Sequence, residues 1–218
     1  MNHAHILAHV DHTILSPTAT WEEVKTVCDE GLRFHTASVC IPPCFVRRAN
    51  DYLGTRLKVC TVIGFPNGYA TTKVKVFETE DAIRDGADEI DVVMNLGMAK
   101  AGDWDGVIRE LKTIKASCQG RILKVIIEAC LLSQEEKMAA CRAVSEAGAD
   151  FIKTSTGFST GGATREDVAL LRAGVAPGVR VKAAGGIRTW EDAEAFLSLG
   201  ADRLGASALV KLAIAEEK

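Results

Sequence analysis

Three times along the chain, at residues 84–88, 146–150 and 198–202, a helical stretch closes on Gly-Ala-Asp and a short apolar run follows at once. A glycine free to take positive φ ends the helix, and the short residue behind it turns the chain into an extended segment. A corner used three times constrains the fold more than composition does, because each corner closes one unit of a repeated strand and helix architecture. Short β-branched or apolar runs lie at residues 9–13, 36–40, 58–63, 89–94, 123–128, 151–154, 179–183 and 203–205. The helical stretches between them open with Thr or Ser and carry an acid three residues on: Thr20 with Glu23, Ser133 with Glu136, Thr164 with Asp167, Thr189 with Asp192. Each pair is a capping box or a close variant, which satisfies the free N–H groups of a first helical turn. This alternation predicts an α/β protein with a parallel sheet, and the number of runs predicts a single (β/α)8 TIM barrel. No Pro- or Gly-rich linker divides the 218 residues, so residues 1–218 are read as one domain, near the lower size limit of such a barrel.

Composition narrows the function classes. Hydrophobic residues make up 47% and charged residues 25%, the ordinary globular balance. A net charge of −3 and the lack of a basic run argue against a nucleic-acid partner. The opening MNHAHILAHVDHTIL has no charged segment followed by an unbroken apolar core, and no stretch approaches 18 apolar residues, so no membrane partner and a cytoplasmic location are expected. Seven cysteines at 28, 40, 44, 60, 118, 130 and 141, with no C-x-x-C pair, fit reduced thiols. Prolines separate Cys40 from Cys44, and the five histidines, all within the first 35 residues, have no matching carboxylate motif. Buried small apolar cysteines are therefore the preferred reading, and no metal is expected.

In a barrel of this kind the strand ends and the loops that follow them converge on the C-terminal mouth, where function belongs. Two lysines in apolar strands are the sharpest signal there: Lys153 ends the sixth run, and Lys182 stands between Val181 and Ala183 in the seventh. One such lysine is as readily a side chain snorkelling to the rim. Two on neighbouring strands favour chemistry. An ordinary lysine, with a pKa of about 10.4, is almost wholly protonated at pH 7, and a nucleophilic amine must be neutral. Burial and a second cation close by favour the neutral form, so Lys182 beside Lys153 fits an amine nucleophile with an electrostatic partner. Asp91 lies in the run Glu89-Ile90-Asp91-Val92-Val93, where period-two alternation puts Glu89, Asp91 and Val93 on one face. A carboxylate inside the barrel must be paired, either as a structural ion pair or as a proton shuttle for imine chemistry. Glycines at Gly157, Gly185, Gly186 and Gly205, with Ser207, follow the sixth, seventh and eighth runs, where exposed N–H groups and helix N-termini bind phosphate.

In order and spacing, the segments DHTIL (11–15), VIGFPNG (62–68), GADEIDVVMN (86–95), LKVIIEA (123–129), FIKTSTGF (151–158), VKAAGGIR (181–188) and GAS (205–207) resemble the deoxyribose-phosphate aldolase family over nearly the whole chain. The resemblance implies a class I aldolase that cleaves 2-deoxy-D-ribose 5-phosphate to acetaldehyde and D-glyceraldehyde 3-phosphate in deoxynucleoside catabolism, without metal or cofactor. By motif it implies Lys153 as the Schiff-base lysine, Lys182 as the lysine that tunes it, and Asp91 as the acid-base partner. It also implies Asp11 and Thr13 in the substrate-hydroxyl pocket with Cys40 nearby, Thr156 as a further substrate contact, and phosphate at Gly157, Gly185, Gly186, Gly205 and Ser207. Some members carry a lysine directly after Ser-Thr-Gly, where this chain has Phe158. Expected partners are small phosphosugars and aldehydes, and a homo-oligomer, dimer or tetramer, is compatible with the sequence. The rival readings are another Schiff-base phosphosugar barrel of the transaldolase kind, and a non-catalytic barrel in which both lysines are anion contacts.

Overall fold

At all three Gly-Ala-Asp corners the glycine takes positive φ, 103° at Gly86, 70° at Gly148 and 98° at Gly200. The aspartate does more than turn the chain. Asp88 accepts the Val59 N–H at 2.9 Å, Asp150 the Leu123 N–H at 2.7 Å, and Asp202 the Val181 N–H at 2.8 Å. Its own N–H returns a bond to the same neighbour in each case, to the Val59, Leu123 and Val181 carbonyls. Each corner is thus stitched to the start of the preceding strand, and a basic side chain, Lys58, Lys115 or Arg172, flanks the carboxylate.

The computed structural model, which describes residues 1–217, is a closed barrel of eight parallel strands in chain order. They are β1 Val10–Thr13, β2 Ser38–Ile41, β3 Val59–Ile63, β4 Glu89–Val93, β5 Ile122–Ile126, β6 Phe151–Lys153, β7 Arg180–Ala184 and β8 Arg203–Ala206. Around them run α2 Trp21–Arg33, α3 Val46–Leu53, α4 Thr72–Arg84, α5 Leu96–Lys100, α6 Trp104–Ser117, α7 Gln134–Glu146, α8 Arg165–Gly174, α9 Trp190–Ser198 and α10 Ala208–Glu216, while α1 His3–Leu7 packs against α9 and α10. Thr20 and Ser133 form complete capping boxes, and Thr164 and Thr189 accept the N–H of the acid three residues on. Strand ends differ from the sequence reading where local bonds compete. The Thr36 N–H is taken by the Gly31 carbonyl, so β2 starts at Ser38, and Glu128 lies in the left-handed region at φ 48°, beyond the end of β5. The helices α1 and α5 and the 3-10 turns Pro43–Phe45 and Ala129–Leu131 were not foreseen. Among the described residues no helix is long and apolar enough to cross a membrane.

Alternation along the strands divides the core in two. Outward-facing Val10, Val39, Val59, Ile90, Val92, Leu123, Val125, Ile152, Val181 and Leu204 form one apolar layer with the helices. The inward-facing side chains are mostly charged or sulfur-bearing. Ser38 and Cys40 stand beside Asp11 and Cys60, Glu89 and Asp91 beside Lys124, and Lys153 beside Lys182 and then Arg203.

The corner carboxylates lie at the N-terminal end of the barrel, away from the mouth. Asp150→Ala removes the partner of the Leu123 N–H and should cost about 1–3 kcal/mol with kcat unchanged. Urea unfolding and steady-state assays of the same preparation check this pair of outcomes.

Candidate active site

Lys153 and Lys182 face each other in register on β6 and β7, and one oxygen of Asp91 joins them. Lys153 Nζ donates to Asp91 Oδ2 at 2.8 Å and Lys182 Nζ donates to the same atom at 2.7 Å. The other Asp91 oxygen accepts Lys124 Nζ at 2.8 Å and the Cys60 thiol at 3.2 Å. Lys124 also reaches Glu89 at 2.7 Å. Lys182 donates to Asp11 as well, whose other oxygen takes Ser38 Oγ at 2.7 Å and Arg203 Nη1 at 2.5 Å. Arg203 continues to Glu89 at 3.1 Å and closes the circuit. Alternation places Glu89 on the face of Asp91, as found, whereas Lys124 and Arg203 carry no expectation from the sequence. Lys124 shows the signal that exposed Lys182, a lysine between Leu123 and Val125.

Burial and charge pull the titrations in opposite directions. For Asp91, burial alone would raise the pKa, yet the ammonium groups of Lys124, Lys153 and Lys182 outweigh it and hold the carboxyl well below the usual range. Asp11 behaves likewise, with Lys182, Lys124 and Arg203 overcoming burial. Burial would discharge Lys182, but Asp11 and Asp91 keep it above the ordinary lysine range, and Lys124 is held well above it by Asp91, Cys60, Asp11 and Glu89. Lys182 and Lys124 are therefore fixed cations. Cys40 and Cys60 stand opposite each other on β2 and β3, and the Cys60 neighbour lowers the Cys40 thiol, while burial pushes that of Cys60 well up. Donor atoms of Cys40, Cys60 and Asp91, and of Asp11, Cys60 and Glu89, come within 4.8 Å of one another, the spacing of a small metal site. These carboxylates are already engaged by ammonium and guanidinium groups, which does not suit a cation.

Above this network a cavity of about 290 Å³ opens at the mouth. Lys153 is the one network lysine among the described residues that lines it; Lys124 and Lys182 lie beneath. Thr13 and Thr156 also line it, whereas Asp11 and Cys40 are fully buried below and do not reach its surface. The expected phosphate residues meet on one wall: Gly157, Gly185, Gly186, Gly205 and Ser207. Gly157, Gly185 and Gly186 have φ of 87°, 86° and 80°, a conformation that turns backbone N–H groups outward at little cost only for glycine. Ser207 opens α10 without a side-chain cap, so the first amides of that helix stay free for an anion. Arg188, exposed and given no role by the sequence although it ends the VKAAGGIR segment, adds a cation to this wall directly after Gly-Gly-Ile. Phe158 packs edge-on against Phe65 at 5.3 Å between centroids and forms the apolar rim. Thr156 is anchored from beneath, its N–H and hydroxyl both donating to the Glu128 carboxylate.

A model of the DeoC/LacD family aldolases matches residues 5–209. The deoxyribose-phosphate aldolase of Streptococcus pyogenes serotype M4 is 56% identical over 207 residues, covering 95% of this chain and 93% of its own length. That of Clostridium botulinum, strain Alaska E43, is 51% identical over 217 residues, covering 100% of this chain and 98% of its own. Among solved structures, the deoxyribose phosphate aldolase of Aeropyrum pernix, described as a unique tetramer, superposes with a TM-score of 0.92 at 32% identity, over 100% of this chain and 93% of that one. An aldolase named QR15 does so with 0.92 at 38% identity, over 97% of both chains.

Since Asp11 and Asp91 are more acidic folded than unfolded, they add stability that is fully present above their unfolded pKa of about 3.9 and is lost as pH falls below it. The melting temperature should hold from neutral pH to about 5 and drop steeply below about 4. Asp91→Asn should flatten that acid limb, as read by differential scanning calorimetry across a pH series.

Proposed function

The chain belongs to the DeoC/LacD family of aldolases, and on that premise we propose that it cleaves and forms 2-deoxy-D-ribose 5-phosphate through an imine on Lys153. The observation that carries this reading is the place of Lys153. It is the network lysine that lines the cavity, and it ends a buried strand beside a wall suited to phosphate.

The cycle follows from the geometry. The phosphate sits against the amides of Gly157, Gly185 and Gly186 and the start of α10, with Arg188 beside it, and this directs the sugar C1 carbonyl toward Lys153. The amine adds to C1, water leaves, and the protonated imine becomes the electron sink. A proton leaves the C3 hydroxyl, the C2–C3 bond breaks toward the imine, and D-glyceraldehyde 3-phosphate departs. The remaining enamine takes a proton at C2, and water hydrolyses the resulting iminium to acetaldehyde and free Lys153. Lys182 is the fixed cation beside the amine. Asp91, bonded to both lysines through one oxygen, lets protons pass between Lys153, Lys182 and water, and Asp11 holds Lys182 from the other side. Thr13 and Thr156 are the substrate contacts, and Cys40 packs under them with Cys60, Val62, Leu15 and Phe65. The cycle needs no cofactor. Phosphosugar substrates and seven unpaired thiols suit the cytoplasm. A further copy of the chain is the natural cover for Val74 and Phe77, which α4 leaves exposed.

Borohydride added with acetaldehyde should leave an N-ethyl group on Lys153, found by peptide mass mapping. Activity lost with Lys153 unmodified overturns the reading, and a transaldolase-like enzyme would show no acetaldehyde release from the deoxysugar. For the phosphate wall, Gly186→Asp sets a carboxylate against the ligand dianion, so KM should rise far more for the phosphosugar than for free 2-deoxyribose. Equal losses on both substrates would move the phosphate elsewhere.

A further inference from the structure

Lys75 on α4 and Glu110 on α6 form, among the described residues, the one fully buried ion pair outside the barrel interior. Burying such a pair gains less stability than filling the same volume with apolar side chains, so stability alone does not account for it. Its bonds have specific destinations. Lys75 Nζ donates to the Val93 carbonyl at 2.9 Å and to Glu110 Oε2 at 3.0 Å, and Glu110 Oε2 also accepts the Asn95 N–H at 3.1 Å. Val93 ends β4 two residues after Asp91, on the same inward face, and Asn95 caps the helix that follows.

The shaft of the same lysine supports the neighbouring strand end. A Cβ on Gly64, which follows β3 at φ 58°, would fall 2.9 Å from Lys75 Cε, so this glycine is where backbone and lysine shaft pass closest. One turn along α4, Glu78 accepts the Gly64 N–H at 2.8 Å. The loop from Gly64 carries Phe65, whose ring meets Phe158 at the rim. A pair on the outside of the barrel thus fastens the C-terminal ends of both β3 and β4.

We infer that Lys75 and Glu110 are positioning residues, a latch that sets the end of β4 so that Asp91 Oδ2 lies between the amines of Lys153 and Lys182. The inference rests on the roles given above to Asp91 and Lys153. The latch does not line the cavity, and it has no bond to the loops after β6, β7 and β8 that carry the phosphate wall. An apolar pair would fill its space but leave the Val93 carbonyl and the Asn95 N–H without partners, and β4 would be free to shift by a fraction of an ångström. Loss of the latch should therefore slow chemistry and leave phosphate binding alone.

The test compares Lys75→Met/Glu110→Met, which removes both charges at similar volume, with Glu110→Gln, whose amide still accepts from Lys75 and Asn95 and can donate to Thr72. The double variant should unfold in a single transition and keep its KM for 2-deoxyribose 5-phosphate within about twofold, while kcat falls roughly 10- to 100-fold, the scale of a catalytic group misplaced by about 1 Å. Borohydride trapping of acetaldehyde on Lys153 should slow in parallel, and Glu110→Gln should keep kcat within about threefold. Should the double variant not fold, Lys75→Gln takes its place. Its shorter amide reaches Glu110 or the Val93 carbonyl but not both, and the same loss of kcat at unchanged KM is expected. An unchanged kcat in the folded variant, a parallel rise of KM, or a loss in Glu110→Gln as large as in the double variant overturns the latch. Trapping of wild-type Lys153 is measured alongside, so failure of the imine reading shows in the wild type and failure of the latch only in the variants.

Discussion

Everything at the mouth of this barrel depends on one carboxylate, Asp91, whose two oxygens hold three buried lysines. Placing so many charges in a protein interior is favourable only if each finds a partner of opposite sign. The interior circuit contains Lys124, Lys153, Lys182 and Arg203 against Asp11, Glu89 and Asp91, one cation more than anions. Lys124 and Lys182 each touch two or more carboxylates, whereas Lys153 is bonded to Asp91 alone and opens on the cavity. The amine with the fewest partners is also the one that lines the cavity, which is what the proposed imine chemistry requires of its nucleophile.

The barrel keeps this circuit apart from the parts that hold it closed. At the N-terminal end the three Gly-Ala-Asp corners fasten the preceding strand through aspartate carboxylate and backbone N–H and need no contact with the interior. The apolar layer between strands and helices is likewise continuous around the outside. An interior rich in charge contributes little hydrophobic stabilisation, and the outer layer and the corners compensate, which leaves the inward positions free for chemistry.

Features written in neighbouring residues were legible in the sequence. The N-caps depend on contacts three residues apart, and Thr20, Ser133, Thr164 and Thr189 all cap as their spacing indicates. The strand cores, the closed barrel and the two lysines at the mouth follow from alternation of apolar and charged residues. Features set by distant partners were not. That Asp88, Asp150 and Asp202 bind the preceding strand is invisible until that strand is in place, and the same is true of the Glu128 bond to Thr156. Lys124 carries the same signal as Lys182, a lysine between two apolar residues of a strand. Asp11 and Cys40 were expected beside the substrate, and the pleat of β1 and β2 sets both below the cavity floor, where Asp11 meets Lys182.

The proposed phosphate wall and the charge circuit share strands β6, β7 and β8 at different depths of the barrel. On the proposed reading, the wall after β6, β7 and β8 would hold the dianion equally well before, during and after the bond is broken. Such binding cannot by itself accelerate the reaction, but it holds the far end of the sugar in place. The charge circuit draws on β1, β4, β5, β6, β7 and β8, and Lys153 on β6 is, among the described residues, its one lysine that lines the cavity. On the proposed cycle, energy gained at the phosphate positions C1 over Lys153, and the rate then depends on how well β4 holds Asp91 against that amine. Rigidity is needed most at the end of β4, which is where Lys75 and Glu110 are buried.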